Sequence, residues 1–170
     1  MAAKESVIDL NLIVKGIADN YATNNDTIKP IITWNKLPEI KAAHTAIFQL
    51  FSNLIGNGIK YQPPGNIPVI KINVEDKGDY WQFGISDNGI GIEEKYFDKV
   101  FLVFQRLHTK NEYSGTGIGL ATCKKIVSIY GGDIWLESTL GTGTTIYFTI
   151  AKDIKTVHQY AQPESQYLAV

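Results

Sequence analysis

Two glycine clusters of different kinds constrain this chain more than any other feature: Asp87-Asn88-Gly89-Ile90-Gly91 and Gly115-Thr116-Gly117-Ile118-Gly119-Leu120, set at the two ends of an apolar, loop-like stretch. The second cluster opens directly into Ala121-Thr122-Cys123-Lys124-Lys125-Ile126-Val127, a run that reads as helix. Glycines at a helix entrance leave backbone N–H groups bare, which suits an anionic group such as a phosphate. An Asp followed by two spaced glycines supplies something else, one fixed acceptor beside backbone that a flat ligand can approach closely. The Gly-x-Gly-x-Gly spacing has no Lys-Ser/Thr after it, so the triphosphate P-loop is absent, and its third glycine comes one position too early for the dinucleotide fingerprint. A nucleotide site of another design remains, and its other walls must come from the rest of the chain.

The strongest helical pattern, residues 42–61, supplies one wall. Ile47, Leu50, Phe51, Leu54 and Gly58 form one apolar arc, while Gln49, Asn53, Asn57 and Lys60 gather on a separate polar arc. Such an arc is either a solvated face or part of a site. Carboxamides are poor helix formers and add little solubility. An Asn carbonyl oxygen, by contrast, is a hard ligand for a magnesium ion already bound to phosphates, and Lys60 one turn on can neutralise a phosphate oxygen.

Pro63-Pro64-Gly65 stops this helix, and residues 69–75 and 80–87 read as a hairpin around Asp76-Lys77-Gly78-Asp79. Alternation places Trp81, Phe83, Ile85 and Asp87 on one strand face. A carboxylate on an apolar face is costly unless hydrogen-bonded, and a purine exocyclic amine is a donor that satisfies it. The structural alternative is an Asx-type turn in which Asp87 caps Asn88 and Gly89.

Elsewhere, residues 6–20 predict a short strand-like lead-in and then a helix with Asp9 as N-cap, and residues 30–34 a strand before the Leu37-Pro38 punctuation. Residues 93–107 predict a short helix or two built on Phe97, Val100, Phe101 and Phe104, with Arg106 near the end, and residues 107–117 a mobile lid. After the helix through Tyr130 come a Gly131-Gly132 cap, a strand at 133–137, a turn at 141–143 and a strand at 144–150 with Thr144, Ile146, Phe148 and Ile150 inward. The domain is expected over residues 1–151, with 152–170 as a poorly ordered or interacting tail.

At 170 residues and 44% apolar content, one domain with a substantial core is expected. Sixteen basic and seventeen acidic residues leave a net charge of -1 without charge runs, giving no footprint for nucleic acid or a membrane surface. The single cysteine, Cys123, excludes an internal disulfide framework and reads as core. No apolar segment reaches membrane-spanning length and no charged-then-apolar leader stands at the N-terminus. The expectation is therefore a soluble, cytoplasmic chain, whose parent protein is free to be membrane-anchored elsewhere.

The chain resembles the catalytic, ATP-binding domain of sensor histidine kinases, within the group that includes gyrase, mismatch-repair and heat-shock chaperone ATPases. Asn53-Leu54-Ile55-Gly56-Asn57-Gly58-Ile59-Lys60-Tyr61 is similar to the N box, Asp87 to Gly91 to the first glycine box, Val100-Phe101-Leu102-Val103-Phe104-Gln105-Arg106 to the F box and Gly115 to Leu120 to the second glycine box. Phe104-Gln105-Arg106-Leu107-His108 looks like kinases of the phytochrome-like type. The resemblance implies an α+β fold, a two-layer sandwich of a mixed, mostly antiparallel sheet with helices on one face. It implies ATP and magnesium as cofactors. Asp87 would take the adenine amine with Thr144 nearby, Asn57 the magnesium, and Asn53, Lys60, Arg106 and the second glycine box the phosphates, with Tyr61 against the base. By the same resemblance Gly89 and Gly91 would belong to the nucleotide site beside Asp87, and Gly115, Thr116, Gly117, Ile118, Gly119 and Leu120 would surround the phosphates.

Hydrolytic relatives carry a glutamate general base where this chain has Asn53, and an amide cannot do that work. The leading reading is thus a phosphoryl donor in two-component signalling, with a nucleotide-binding regulatory module or an ATPase or serine kinase as alternatives. No phosphoacceptor motif surrounds His44, His108 or His158, so the implied partners are a histidine phosphoacceptor/dimerisation domain on another segment and a response regulator receiver domain downstream. Gly58 stands where alanine is usual, which is expected to weaken the helix by roughly 0.5–1 kcal/mol.

Overall fold

The computed structural model describes residues 4–25, 28–102 and 117–153. In chain order these form β1 (Glu5–Asp9), α1 (Leu10–Thr23), β2 (Ile31–Trp34), β3 (Glu39–Ala43), α2 (His44–Lys60), β4 (Val69–Asp76), β5 (Tyr80–Asp87), a single 3-10 turn (Glu94–Tyr96), α3 (Gly119–Ile129), β6 (Ile134–Thr139) and β7 (Gly143–Ala151). One sheet has the order β2-β4-β5-β7-β6, in which only the β2–β4 pair is parallel; a separate ribbon pairs β1 with β3. This is the mixed, mostly antiparallel sheet with helices packed on it that the resemblance implies.

Alternation along the strands decides which sheet face is covered. Phe83 and Ile85 of β5 and Ile146, Phe148 and Ile150 of β7 are buried, while their outward neighbours Gln82, Ser86, Thr145 and Tyr147 keep partial exposure. Phe51 of α2 sits edge-on to both Phe83 and Phe148, with centroids 5.9 and 5.6 Å away, and the two strand phenylalanines stack at 4.9 Å. Edge-to-face and stacked rings of this kind add stabilisation beyond their buried area. The apolar arc expected for α2 is buried, and Ile55 joins it. Asp9 caps α1 as expected, its Oδ1 accepting from the Asn11 amide at 2.9 Å. Cys123 is fully buried, and desolvation pushes its thiol up to about 12, so it is an inert core residue.

The structure differs from the sequence reading in several places. The helix expected from residue 42 starts at His44, because residues 39–43 form β3 against β1, with Ile40 facing Ile8. That pairing spans more than 30 residues of chain and leaves no local signal. The helices expected over 93–107 reduce to the one 3-10 turn up to Leu102, and the remainder lies outside the described residues, as do nearly all of the expected lid and tail. A Cβ on Gly58 would stand 2.6 Å from Ile70 Cδ1 and 3.0 Å from Asp87 Cβ, so glycine at this position is matched to the sheet rather than a simple loss to the helix. No helix among the described residues is long and apolar enough to cross a membrane.

Candidate nucleotide site

Between α2, the C-terminal end of β5 and the start of α3 lies an apolar chamber. Leu54, Ile85, Ile90, Ile92, Val100 and Ile146 supply its walls, and Asn57, Gly58, Tyr61, Asp87, Gly91, Gly117, Leu120 and Thr144 complete it. A more polar cleft of about 340 Å³ adjoins it, bounded by Ser52, Asn53, Gly56, Lys60 and Gly119, and shares Asn57, Tyr61, Val100, Gly117 and Leu120 with the first. One end is therefore shaped for a flat apolar body and the other for a polar or charged one.

Among the described residues, Asp87 is the single acidic one lining the inner chamber. Its Oδ1 accepts from the Gly89 amide at 2.8 Å and the Thr144 amide at 3.3 Å. Among the described residues Oδ2 has no hydrogen-bond partner. The turn cap read from the sequence is present and uses Oδ1, which leaves Oδ2 facing the chamber as an acceptor. Desolvation pushes the carboxyl up to about 6 against the opposing pull of the Gly89 and Thr144 amides. A ligand donor at Oδ2 would relieve that burial.

The first glycine box is a matter of clearance. A Cβ on Gly89 would lie 2.3 Å from the Tyr61 carbonyl oxygen, and one on Gly91, where φ is +74°, 2.2 Å from that of Thr139. Gly89 therefore shapes the loop from behind, without lining the chamber. The Thr144 hydroxyl lies 2.7 Å from Ser138 Oγ, which also accepts from the Ile92 amide at 2.8 Å. Ser138 carries no sequence signal of its own, since a serine in a strand is ordinary.

At the polar end, Asn53 donates through Nδ2 to the Gly119 carbonyl at 3.3 Å, joining α2 to the start of α3. Asn57 makes no side-chain hydrogen bond among the described residues, and it faces both the chamber and the cleft. Lys60 Nζ lies 4.6 Å above the Tyr61 ring. Helix α3 has no side-chain cap at its N-terminus, which leaves its first amides to another acceptor. Ile118 is the exposed cap position and lines neither cavity. Arg106, Gly115 and Thr116 lie outside the described residues. The apolar wall residues were legible only as core, because a base pocket and a core both ask for Ile and Leu.

Residues 42–154 match the family described as histidine kinase-, DNA gyrase B- and HSP90-like ATPases. The chain is 51% identical over 119 residues to cyanobacterial phytochrome A of Nostoc sp., covering 70% of this chain and 15% of that protein. It is 49% identical over 114 residues to phytochrome-like protein Cph1 of Synechocystis sp., with 67% and 15% covered. The chain thus spans about 15% of the length of these curated relatives. Among solved structures, the catalytic domain of histidine kinase ThkA superposes with a TM-score of 0.74 at 26% identity, covering 89% of this chain and 98% of that one. A full-length ShkA structure in complex with AMPPNP superposes with a TM-score of 0.73 at 21% identity over 90% of this chain and 32% of that one, a likeness of fold. The chain accordingly belongs to the histidine kinase-, DNA gyrase B- and HSP90-like ATPase family.

Proposed function

We propose that the cleft binds Mg-ATP and that the chain donates the γ-phosphoryl group to a histidine on a separate phosphoacceptor and dimerisation segment. The observation that carries this reading is the state of Asp87: one oxygen is fixed by two backbone amides, and the other, at the wall of an apolar chamber, has no hydrogen-bond partner among the described residues. An adenine amine donates to that oxygen, and the base lies among the apolar walls with Tyr61 beside it.

The polar cleft then takes the phosphates. Lys60 and the uncapped amides of α3 supply positive charge there, and Gly117 and Gly119 let the backbone approach. Among the described residues no group of three or more His, Cys, Asp or Glu is arranged to hold a metal by itself. The unpartnered Asn57 oxygen fits an ion that arrives with the phosphates. Magnesium, when bound, neutralises phosphate charge and orients the oxygens. Arg106, Gly115 and Thr116, which lie outside the described residues, complete the phosphate site in this proposal.

Asn53 favours transfer over hydrolysis, because an amide does not take a proton from water. A neutral imidazole needs no such base: its nitrogen lone pair forms the bond to phosphorus, ADP leaves with the breaking bond pair, and the imidazole N–H proton goes to solvent. The acceptor sits on another segment, of the same full-length protein in this reading, with a receiver domain downstream in the cytoplasm. Incubating the chain with γ-labelled ATP and a supplied acceptor helix pair tests this directly. Label appearing on the acceptor in an acid-labile, base-stable form supports it. ATP binding without any transfer identifies a regulatory nucleotide module instead.

A further inference from the structure

The base end and the phosphate end of the site are carried by different elements, Asp87 by β5 and Asn57 and Lys60 by the last turns of α2. Three side chains bridge them. Asn88 Oδ1 accepts from the Val69 amide at 2.8 Å and from Gln62 Nε2 at 3.1 Å, and its Nδ2 donates to the Ile67 carbonyl at 3.0 Å. Gln62 Nε2 also donates to the Gly58 carbonyl at 2.8 Å, and its Oε1 accepts from Asn66 Nδ2 at 2.7 Å. Asn66 Nδ2 in turn donates to the Asn88 carbonyl at 3.3 Å. Beside this web the Ile90 amide donates to the Tyr61 carbonyl at 3.0 Å.

The Gly58 carbonyl is one of those a helix end leaves without an intrahelical partner, since the Gln62 amide turns to the Lys60 carbonyl instead. Gln62 satisfies it and hands the same Nε2 to the residue directly after Asp87. We propose that Gln62 and Asn88 are positioning residues of the nucleotide site. They lock the last turn of α2 to the loop after β5, so that the base and the phosphates of one nucleotide meet both halves at once. This role presupposes the nucleotide reading above. It follows from the rigidity that two fixed ends demand: a ligand pinned at Asp87 reaches Asn57 and Lys60 only while the helix end holds its distance from the strand. Side chains that orient the ligands of a metal typically change metal affinity by about 10–100-fold when removed, and a lock behind the Asn57 end of the site is expected to act on the same scale.

Gln62→Ala removes the bridge beyond the helix end without touching the apolar core, and Gln62→Glu keeps the acceptor for Asn66 but loses both donors. The test measures amide hydrogen exchange in the ligand-free proteins and titrates the same proteins with adenosine and with Mg-ATP. Faster exchange at Tyr61 and Ile90, adenosine affinity within about twofold of the parent and Mg-ATP affinity roughly tenfold or more weaker is the expected pattern. Equal losses for both ligands would make the web a general support of the fold and overturn the proposal, as would unchanged exchange at those amides. A parent protein that binds neither ligand would instead remove the nucleotide reading, and exchange alone would then decide whether the lock exists.

Discussion

Replacing Asp87 by Asn should strengthen the empty protein while destroying its base site. The carboxyl titrates near 6 in the fold and near 3.8 when unburied, chiefly because burial penalises its charged form. The group therefore favours the folded state fully only below about 3.8, where it is protonated in both states, and that contribution disappears as pH rises through 6. At about 1.4 kcal/mol per tenfold in proton affinity, the loss is about 3 kcal/mol by neutral pH. Asparagine keeps an oxygen for the Gly89 and Thr144 amides and has no charge to desolvate. Its own amide N–H groups stand unpaired at the chamber, costing about 1 kcal/mol, so the net gain is about 2 kcal/mol at pH 7.5. Urea unfolding of both ligand-free proteins checks this, with other titrating groups cancelling in the difference. The advantage of the variant should shrink by about 2 kcal/mol between pH 7.5 and pH 4.5. A difference that stays constant with pH, or an Asn variant weaker than the parent at pH 7.5, would show that the buried charge carries no such cost.

Asn57→Ala should abolish magnesium-dependent nucleotide binding with the fold intact, since alanine is the better helix former by a few tenths of a kcal/mol; calorimetry with and without magnesium, beside a circular dichroism melt, measures both. Asn53→Glu should raise the slow hydrolysis of ATP by supplying a base, at some cost in stability because it exchanges the donor to the Gly119 carbonyl for an acceptor; an unaltered phosphate-release rate would deny Asn53 a place beside the attacking group. Gly58→Ala gains roughly 1 kcal/mol of helix propensity but forces the close contacts with Ile70 and Asp87, an overpacking worth about 1–3 kcal/mol. The variant should be net destabilised by up to about 2 kcal/mol in urea, and Ile70→Val should recover part of that loss.

Much of this fold was legible in the sequence because its elements carry their own periodicity. The α2 stripe, the β4–β5 hairpin and the inward face of β7 are each readable from one continuous stretch of chain, and each stands where expected. The strand-like lead-in stands as β1, but β3 and its pairing were not legible, because Ala42 and Ala43 read equally well as a helix start. Only the distant partner strand decides its conformation. The same limit applies to the site. Asp87 was visible because a charge on an apolar strand face demands an explanation, and the two asparagines because carboxamides are unusual on a helix. Gln62, Asn66 and Ser138 were invisible, since polar residues in a loop or at a strand edge need no special reason until their partners are seen.

The contact between Asp87 and the adenine amine is the central claim, and a thermodynamic cycle measures it most directly. The parent and Asp87→Asn are each titrated with Mg-ATP and with the analogue whose exocyclic amine carries two methyl groups and no donor. Methylation should cost the parent about tenfold or more, roughly 1.4 kcal/mol. The same methylation should cost the variant less than about twofold, because the partner oxygen is already gone. Equal losses in the two proteins would mean that Asp87 does not hold the amine, and the base site would have to be sought elsewhere in the fold.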